Sequence, residues 1–189
     1  MKKYELTAEF IEKWGKKLFR IKALISFGSV EAGKLGGYVE KEDNLAQDGD
    51  AWVYGDAWVC GNARVYGNAR VCGNAWVCGN AEVYGDARVC GNARVYGNAR
   101  VCGDADYLLI GRIGSRFSFT TFFKNKDKGI TVSCGCFLGT IAEFRAKVTD
   151  THGNNKHAKM YNLAADMAEL QILGEEHFDK LNTNKSEPF

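Results

Sequence analysis

Proline is almost missing from this chain: one in 189 residues, against 22 glycines. A protein that turns this often without proline must turn on glycine and on asparagine or aspartate. That fits repetitive β-structure, where proline would remove a ladder hydrogen bond. No run of 18 or more apolar residues occurs, so no transmembrane helix is expected. The opening residues, MKKYELTAEF, are charged and lack an apolar segment and a small-residue cleavage site. They are not read as a secretory leader, and the expected location is cytoplasmic. The seven cysteines are accordingly expected to be reduced thiols. A net charge of +2 argues against a duplex nucleic-acid binder. Histidine is absent between Asp50 and Asp106; the three present are His152, His157 and His177.

What the chain has in excess is one word. Valine recurs every six residues from Val53 to Val101, and alanine precedes each valine by two, from Ala51 to Ala99. A spacing of two puts both on one face of a strand, and the residues after Ala and after Val on the other. Gly with Asn or Asp follows and tolerates the positive φ of a corner. Each word therefore predicts a four-residue strand and a corner, around a narrow interior of small and β-branched side chains.

Words such as Val65-Tyr-Gly-Asn-Ala-Arg70 resemble the hexapeptide repeat of the left-handed parallel β-helix. The resemblance implies three words per coil, coils stacked at ~4.8 Å, about three coils over residues 49–106, and a parallel homotrimer. The expected fold class is a β solenoid plus α+β, with an N-terminal β cap over 1–48 and a flexible tail over 175–189. Within the cap, Trp14-Gly15 reads as a turn, and Gly33, Gly36 and Gly37 read as turn glycines, their spacing fitting no phosphate loop. The stretch from Ser29 to Val53 resembles, more loosely, β-helical proteins of phage and prophage origin in gut bacteria.

With eighteen residues per coil, outward positions eighteen apart stack. One face carries Trp52, Arg70 and Arg88 beside Tyr54, Cys72 and Cys90. A second carries Trp58, Trp76 and Arg94 beside Cys60, Cys78 and Tyr96. A third carries Arg64, Glu82 and Arg100 beside Tyr66, Tyr84 and Cys102. The third neutralises itself. The second is the most apolar, so Trp58, Trp76, Cys60 and Cys78 are expected at the oligomer contact. The first is basic and aromatic: either its arginine stems cover the coil with wet heads, or the face holds an anion.

Residues 107–174 change character. YLLIGRIGSRFSFTTFFKN and GITVSCGCFLGT read as strands. Thr140-Ile-Ala-Glu143 is a capping box opening a helix to about Val148, closed at Gly153-Asn154. A second helix is expected over Lys156–Leu173, with Met160, Leu163, Ala164, Met167 and Leu170 on one face. Ser115 and Arg116 follow a glycine, either as an anion-binding turn or a plain hairpin turn. Cys134 and Cys136 are core thiols or, with His152, a nucleophile pair.

Many proteins resembling this one are acyltransferases that need a histidine base on the coil, and none stands there. No catalytic residue, metal ligand or cofactor is expected. The resulting reading is a non-catalytic oligomeric binding protein for a small anionic, nucleotide-like ligand, contacted by Trp52, Tyr54, Arg70, Arg88, Arg94, Ser115 and Arg116. The phage resemblance implies a sponge that sequesters a signalling nucleotide. The alternatives are a β-helical scaffold and a degenerate acyltransferase.

Overall fold

The computed structural model describes residues 1–177 and 179. The chain divides into two compact units at Asp104/Ala105. Of the tail expected from 175, residues 175–177 and 179 are helical, and the remainder lies outside the described residues.

The first unit opens with a hairpin of β1 (Tyr4–Lys13) and β2 (Lys16–Ala23). Its turn is Trp14-Gly15, with φ of 50° and 73°, the left-handed pair whose twist matches a two-residue hairpin. β2 pairs antiparallel with β3 (Leu35–Val39), and β3 starts a parallel ladder. Gly36 and Gly37 lie inside β3 rather than in a turn. A Cβ on Gly37 would sit 2.4 Å from the Ala57 carbonyl oxygen, so the strand can press against the coil only without a side chain there.

Two-residue strands follow in chain order: β4 (Trp52–Val53), β5 (Trp58–Val59), β6 (Arg64–Val65), β7 (Arg70–Val71), β8 (Trp76–Val77), β9 (Glu82–Val83), β10 (Arg88–Val89), β11 (Arg94–Val95) and β12 (Arg100–Val101). The paired segments are shorter than the four residues expected. They form three parallel ladders, β3-β5-β8-β11, β4-β7-β10 and β6-β9-β12, the sides of a triangular coil. The alanines from Ala51 to Ala99 and the valines from Val53 to Val101 are fully buried. Each valine contributes roughly 1.5–3 kcal/mol relative to exposure. The corner glycines from Gly55 to Gly97 have φ of 61–73°, and asparagines stack beside them, as Asn62 Nδ2 donating to Asn80 Oδ1 at 3.2 Å.

The coil makes about four turns, one more than the words suggest. Val39 pairs with Val59 and Leu45 with Val65, twenty residues on, before Trp52 pairs with Arg70 at eighteen. The first turn thus carries two extra residues, and its sides at Val39 and Leu45 lack the Ala-x-Val word, which begins with Ala51-Trp52-Val53 on its last side. Fully buried Asn44 fills its irregular corner, donating to the carbonyls of Gly61 and Ala63 at 3.1 and 2.8 Å.

Each turn donates its amides to the carbonyls of the next, as Trp52 to Ala69 at 3.0 Å and Cys60 to Val77 at 2.9 Å. The first turn is therefore left with carbonyls to satisfy and the last with amides. At the first turn, Lys3 Nζ donates to the carbonyls of Ala51, Asp48 and Gly49 at 3.0, 3.2 and 3.2 Å, and the Tyr4 hydroxyl donates to the Leu45 carbonyl at 2.7 Å. At the far end Asp104 Oδ1 accepts from the Arg88 amide at 2.8 Å.

The second unit is an antiparallel meander of β13 (Tyr107–Ile113), β14 (Ser118–Lys124), β15 (Ile130–Cys134) and β16 (Phe137–Thr140), then α1 (Ile141–His152) and α2 (Lys156–Leu173). The capping box forms: Thr140 Oγ1 accepts from the Glu143 amide at 3.2 Å, and Glu143 Oε2 accepts from the Thr140 amide at 2.8 Å. α1 runs to His152, a turn beyond Val148. Its core joins Phe122, Val132, Phe144 and Val148 to Tyr161, Ala165, Ala168 and Ile172. The helix face expected to be one stripe divides differently: Ala164 is buried, whereas Met160, Leu163, Met167 and Leu170 are exposed. Alanines let α2 lie close to the sheet, and the larger side chains point away from it.

Candidate ligand groove on the coil

The register places Trp58, Trp76 and Arg94 in one column along β5, β8 and β11. The two indoles lie 4.6 Å apart, and the Arg94 guanidinium sits 4.3 Å above the Trp76 ring. The column is a pair of indoles tilted 45° to one another, ending in a cation over the second ring. Trp14, carried by the hairpin turn, lies 4.9 Å from both Trp58 and Trp76. A cavity of about 440 Å³ opens there, lined by Ile11, Glu12, Lys13, Tyr38, Asp56, Trp58, Asn74 and Trp76. Such a volume falls within the range of small-molecule sites. Tyr38 is held by Arg20, whose Nη1 donates to its hydroxyl at 2.7 Å and whose guanidinium lies 5.0 Å from its ring. Tyr96 packs against the apolar cluster of Leu18, Trp58 and Cys78, and burial pushes its phenol up to about 12.

This face is not the open surface expected for an oligomer contact. Trp58, Cys60 and Cys78 are buried together with Leu18 and Tyr38, with Ile11 and Trp76 packed alongside. The hairpin covers them because β2 and β3 continue the same sheet, and its tip folds onto the indoles.

The cysteines are also not thiols throughout. Parallel stacking brings Cα atoms of successive turns to 4.8 and 4.6 Å, and Cys60–Cys78 and Cys72–Cys90 are disulfides linking neighbouring turns. The eighteen-residue spacing carried this signal, since it places identical residues directly over one another.

The basic face is divided. Trp52 is fully buried beneath Tyr4 and Phe27, at ring distances of 6.0 and 5.4 Å, and is no ligand platform. Tyr54 shares a hydrogen bond of 3.2 Å with Ser29. Arg70 stacks between Trp52 and Arg88 in register, half-buried, and Arg88 is exposed. On the third face Arg100 Nε lies 3.3 Å from Glu82, and Tyr66 stacks on Tyr84 at 5.1 Å.

Ser115 and Arg116 are exposed in the β13–β14 turn of the second unit. Cys134 accepts from Thr120 Oγ1 at 3.2 Å and lies 4.0 Å from the Tyr161 hydroxyl. The His152 ring stacks at 5.8 Å on Tyr161, at the C-terminus of α1. Among the described residues no group of three His, Cys, Asp or Glu side chains is placed to hold a metal ion. No helix among the described residues is long and apolar enough to cross a membrane.

The YdcK β-solenoid repeat matches residues 57–73, 63–79 and 87–103, all within the coil. This is a β-solenoid protein. No curated protein matches the chain.

Proposed function

We propose that the solenoid is a non-catalytic binding protein whose ligand seat is the tryptophan groove under the hairpin tip. The observation that supports it is the stacked column of Trp58, Trp76 and Arg94 beside a 440 Å³ cavity. Trp14 and half-buried Trp76 present aromatic surface to a planar ring, Lys13 and Arg94 offer cations to a phosphate, and Glu12, Asp56 and Asn74 accept from hydroxyls or exocyclic amines. A nucleotide-like ligand has these features. A stoichiometric binder of that kind sequesters its ligand, the sponge role that the phage resemblance implies, and a homotrimer would multiply the seats. The role belongs in the cytoplasm, where accessible disulfides are reduced. The half-buried Cys72–Cys90 pair would then be carried as a dithiol, while Cys60–Cys78 is shielded beneath the hairpin.

Calorimetry with cyclic and linear nucleotides, with and without reductant, tests this reading. Binding at micromolar or tighter Kd that is lost in Trp76→Ala and Arg94→Ala supports it; silence across the panel ends it. Arg70→Ala with Arg88→Ala asks separately whether the basic face contributes.

A second reading, a scaffold that presents the C-terminal unit to a protein, is favoured by the exposed apolar side of α2.

A further inference from the structure

The two disulfides of the coil are alike in backbone setting and unlike in surroundings. Cys60–Cys78 and Cys72–Cys90 each join neighbouring turns across eighteen residues, with Cα atoms 4.8 and 4.6 Å apart. Cys60 and Cys78 are 4% and 7% exposed, packed with Leu18, Tyr38 and Trp58 beneath the hairpin. Cys72 and Cys90 are half-buried on the side formed by β4, β7 and β10, a sheet that no hairpin strand continues. A reagent in solution is kept from the first pair and can approach the second.

Charge adds to the difference. Arg70 precedes Cys72 by two residues, and Arg88 precedes Cys90 by two. Each arginine therefore shares the outward face of its cysteine, about 6.6 Å along the strand. The register sets Arg70 beside Arg88. Among the described residues no carboxylate pairs with the Arg70 guanidinium. At the equivalent positions before Cys60 and Cys78 stand Trp58 and Trp76, whose indoles carry no charge. In thiol–disulfide exchange one thiolate attacks and another leaves, so the reaction brings negative charge to the sulfurs twice. A guanidinium beside the pair favours both events.

We propose that Cys72–Cys90 is a thiol–disulfide exchange site that takes small anionic thiols. The incoming thiolate sulfur bonds to Cys90 Sγ, the Cys72–Cys90 bond breaks, and its electron pair leaves on Cys72 Sγ. Cys72 is the leaving sulfur because Arg70 is half-buried where Arg88 is exposed, and water screens a half-buried cation less. A second small thiolate attacks the small-thiol sulfur of the mixed disulfide and releases Cys90 as a thiolate. The small thiols depart as their own disulfide, and the two cysteines take up the protons those thiols lost. The site lies on a different side of the coil from the tryptophan groove, so it stands independently of any ligand there.

The full chain, purified in air without reductant, is incubated with reduced glutathione, quenched by alkylation at intervals and mapped by mass spectrometry. Cys72 and Cys90 should become reactive at least about tenfold faster than Cys60 and Cys78, because the rate follows access. Early samples should carry glutathione on Cys90 and the alkyl group on Cys72. Arg70→Gln should slow the opening about three- to tenfold at low salt, with a smaller difference at high salt, and Arg70→Lys should restore most of the rate. Circular dichroism confirms that the coil persists in both variants. Two disulfides that open together, as unfolding of the coil would open them, overturn the proposal. So does an Arg70→Gln variant that exchanges at the wild-type rate at low salt.

Discussion

The ammonium of Lys3 donates to the carbonyl oxygen of Ala51 at 3.0 Å, with Lys3 only 2% exposed. Within the coil a preceding turn supplies the amides for such carbonyls; the first turn has none before it, and Lys3 stands in. Burial lowers the Lys3 pKa from 10.5 to about 8, against the opposing charges of Asp48 and Asp50. The folded state then binds fewer protons than the unfolded one between those values, so stability rises with pH from about 8 toward 10.5. Urea unfolding between pH 7.5 and about 9.5, below the tyrosine range, should show this slope. Lys3→Met should abolish it and cost about 1–3 kcal/mol through unpaired carbonyls.

The disulfides Cys60–Cys78 and Cys72–Cys90 each tie a turn to its neighbour. Protein purified in air without reductant should give three titratable thiols after denaturation, from Cys102, Cys134 and Cys136, and seven after reduction. Each bond closes a loop of eighteen residues, so its loss should lower stability by ~2–4 kcal/mol. Seven thiols in both conditions would mean that the stacked cysteines stand open.

Trp14 roofs the indole pair from the hairpin turn. Compared with Trp14→Phe, which keeps a ring over the pair, Trp14→Ala should shift tryptophan emission to the red and raise its quenching by acrylamide, as Trp58 and Trp76 meet water. Removing the edge-on ring pairing should cost about 1 kcal/mol or slightly more in stability.

The corner at Gly73 has φ of 68°, and a Cβ there would lie 3.0 Å from the Gly91 amide nitrogen. Gly73→Ala should destabilise by ~1–2 kcal/mol from the left-handed backbone alone. Gly103 has neither a positive φ of this kind nor an atom within 4 Å of its added Cβ, so Gly103→Ala should be neutral. Thermal melts of the two variants make the comparison.

Hydrogen bonds from the Thr140 amide and hydroxyl hold the Glu143 carboxyl below its usual value, although the side chain is exposed. Its contribution is therefore complete above the ordinary glutamate pKa of about 4.3 and is lost as pH falls through the lower folded value. Thr140→Ala should cost ~1 kcal/mol and weaken that acid sensitivity without removing it, since the amide of residue 140 still donates to the carboxylate, whereas Glu143→Gln should remove it; far-ultraviolet circular dichroism on acid titration reads both.

Legibility followed the range of the interaction. The Trp14-Gly15 turn, the Thr140–Glu143 box and the buried Ala and Val positions each rest on residues within four of one another, and each could be read from the chain. The first turn of the solenoid could not, because Tyr38, Val39 and Leu45 lack the repeated word and are placed only by pairing with Trp58, Val59 and Val65. Arg94 was legible as an outward residue in the column of Trp58 and Trp76, but its setting was not: the groove exists because the hairpin, distant in sequence, folds its tip onto Trp58 and Trp76. For the same reason Trp52 read as an exposed platform and is instead covered by Tyr4 and Phe27.

By itself the sequence determined the solenoid. A six-residue period with small residues at two alternate positions admits a narrow parallel coil, because strand alternation and glycine corners are local geometry. Only the tertiary structure decided which outer faces stay outer. The coil repeats, so its sides are locally equivalent, and the hairpin distinguishes them by continuing a single sheet. In α2 the periodicity pointed to one face of Met160, Leu163, Ala164, Met167 and Leu170. The sheet instead took the side rich in alanine, because small side chains allow the closest approach, and left the Met and Leu side chains exposed.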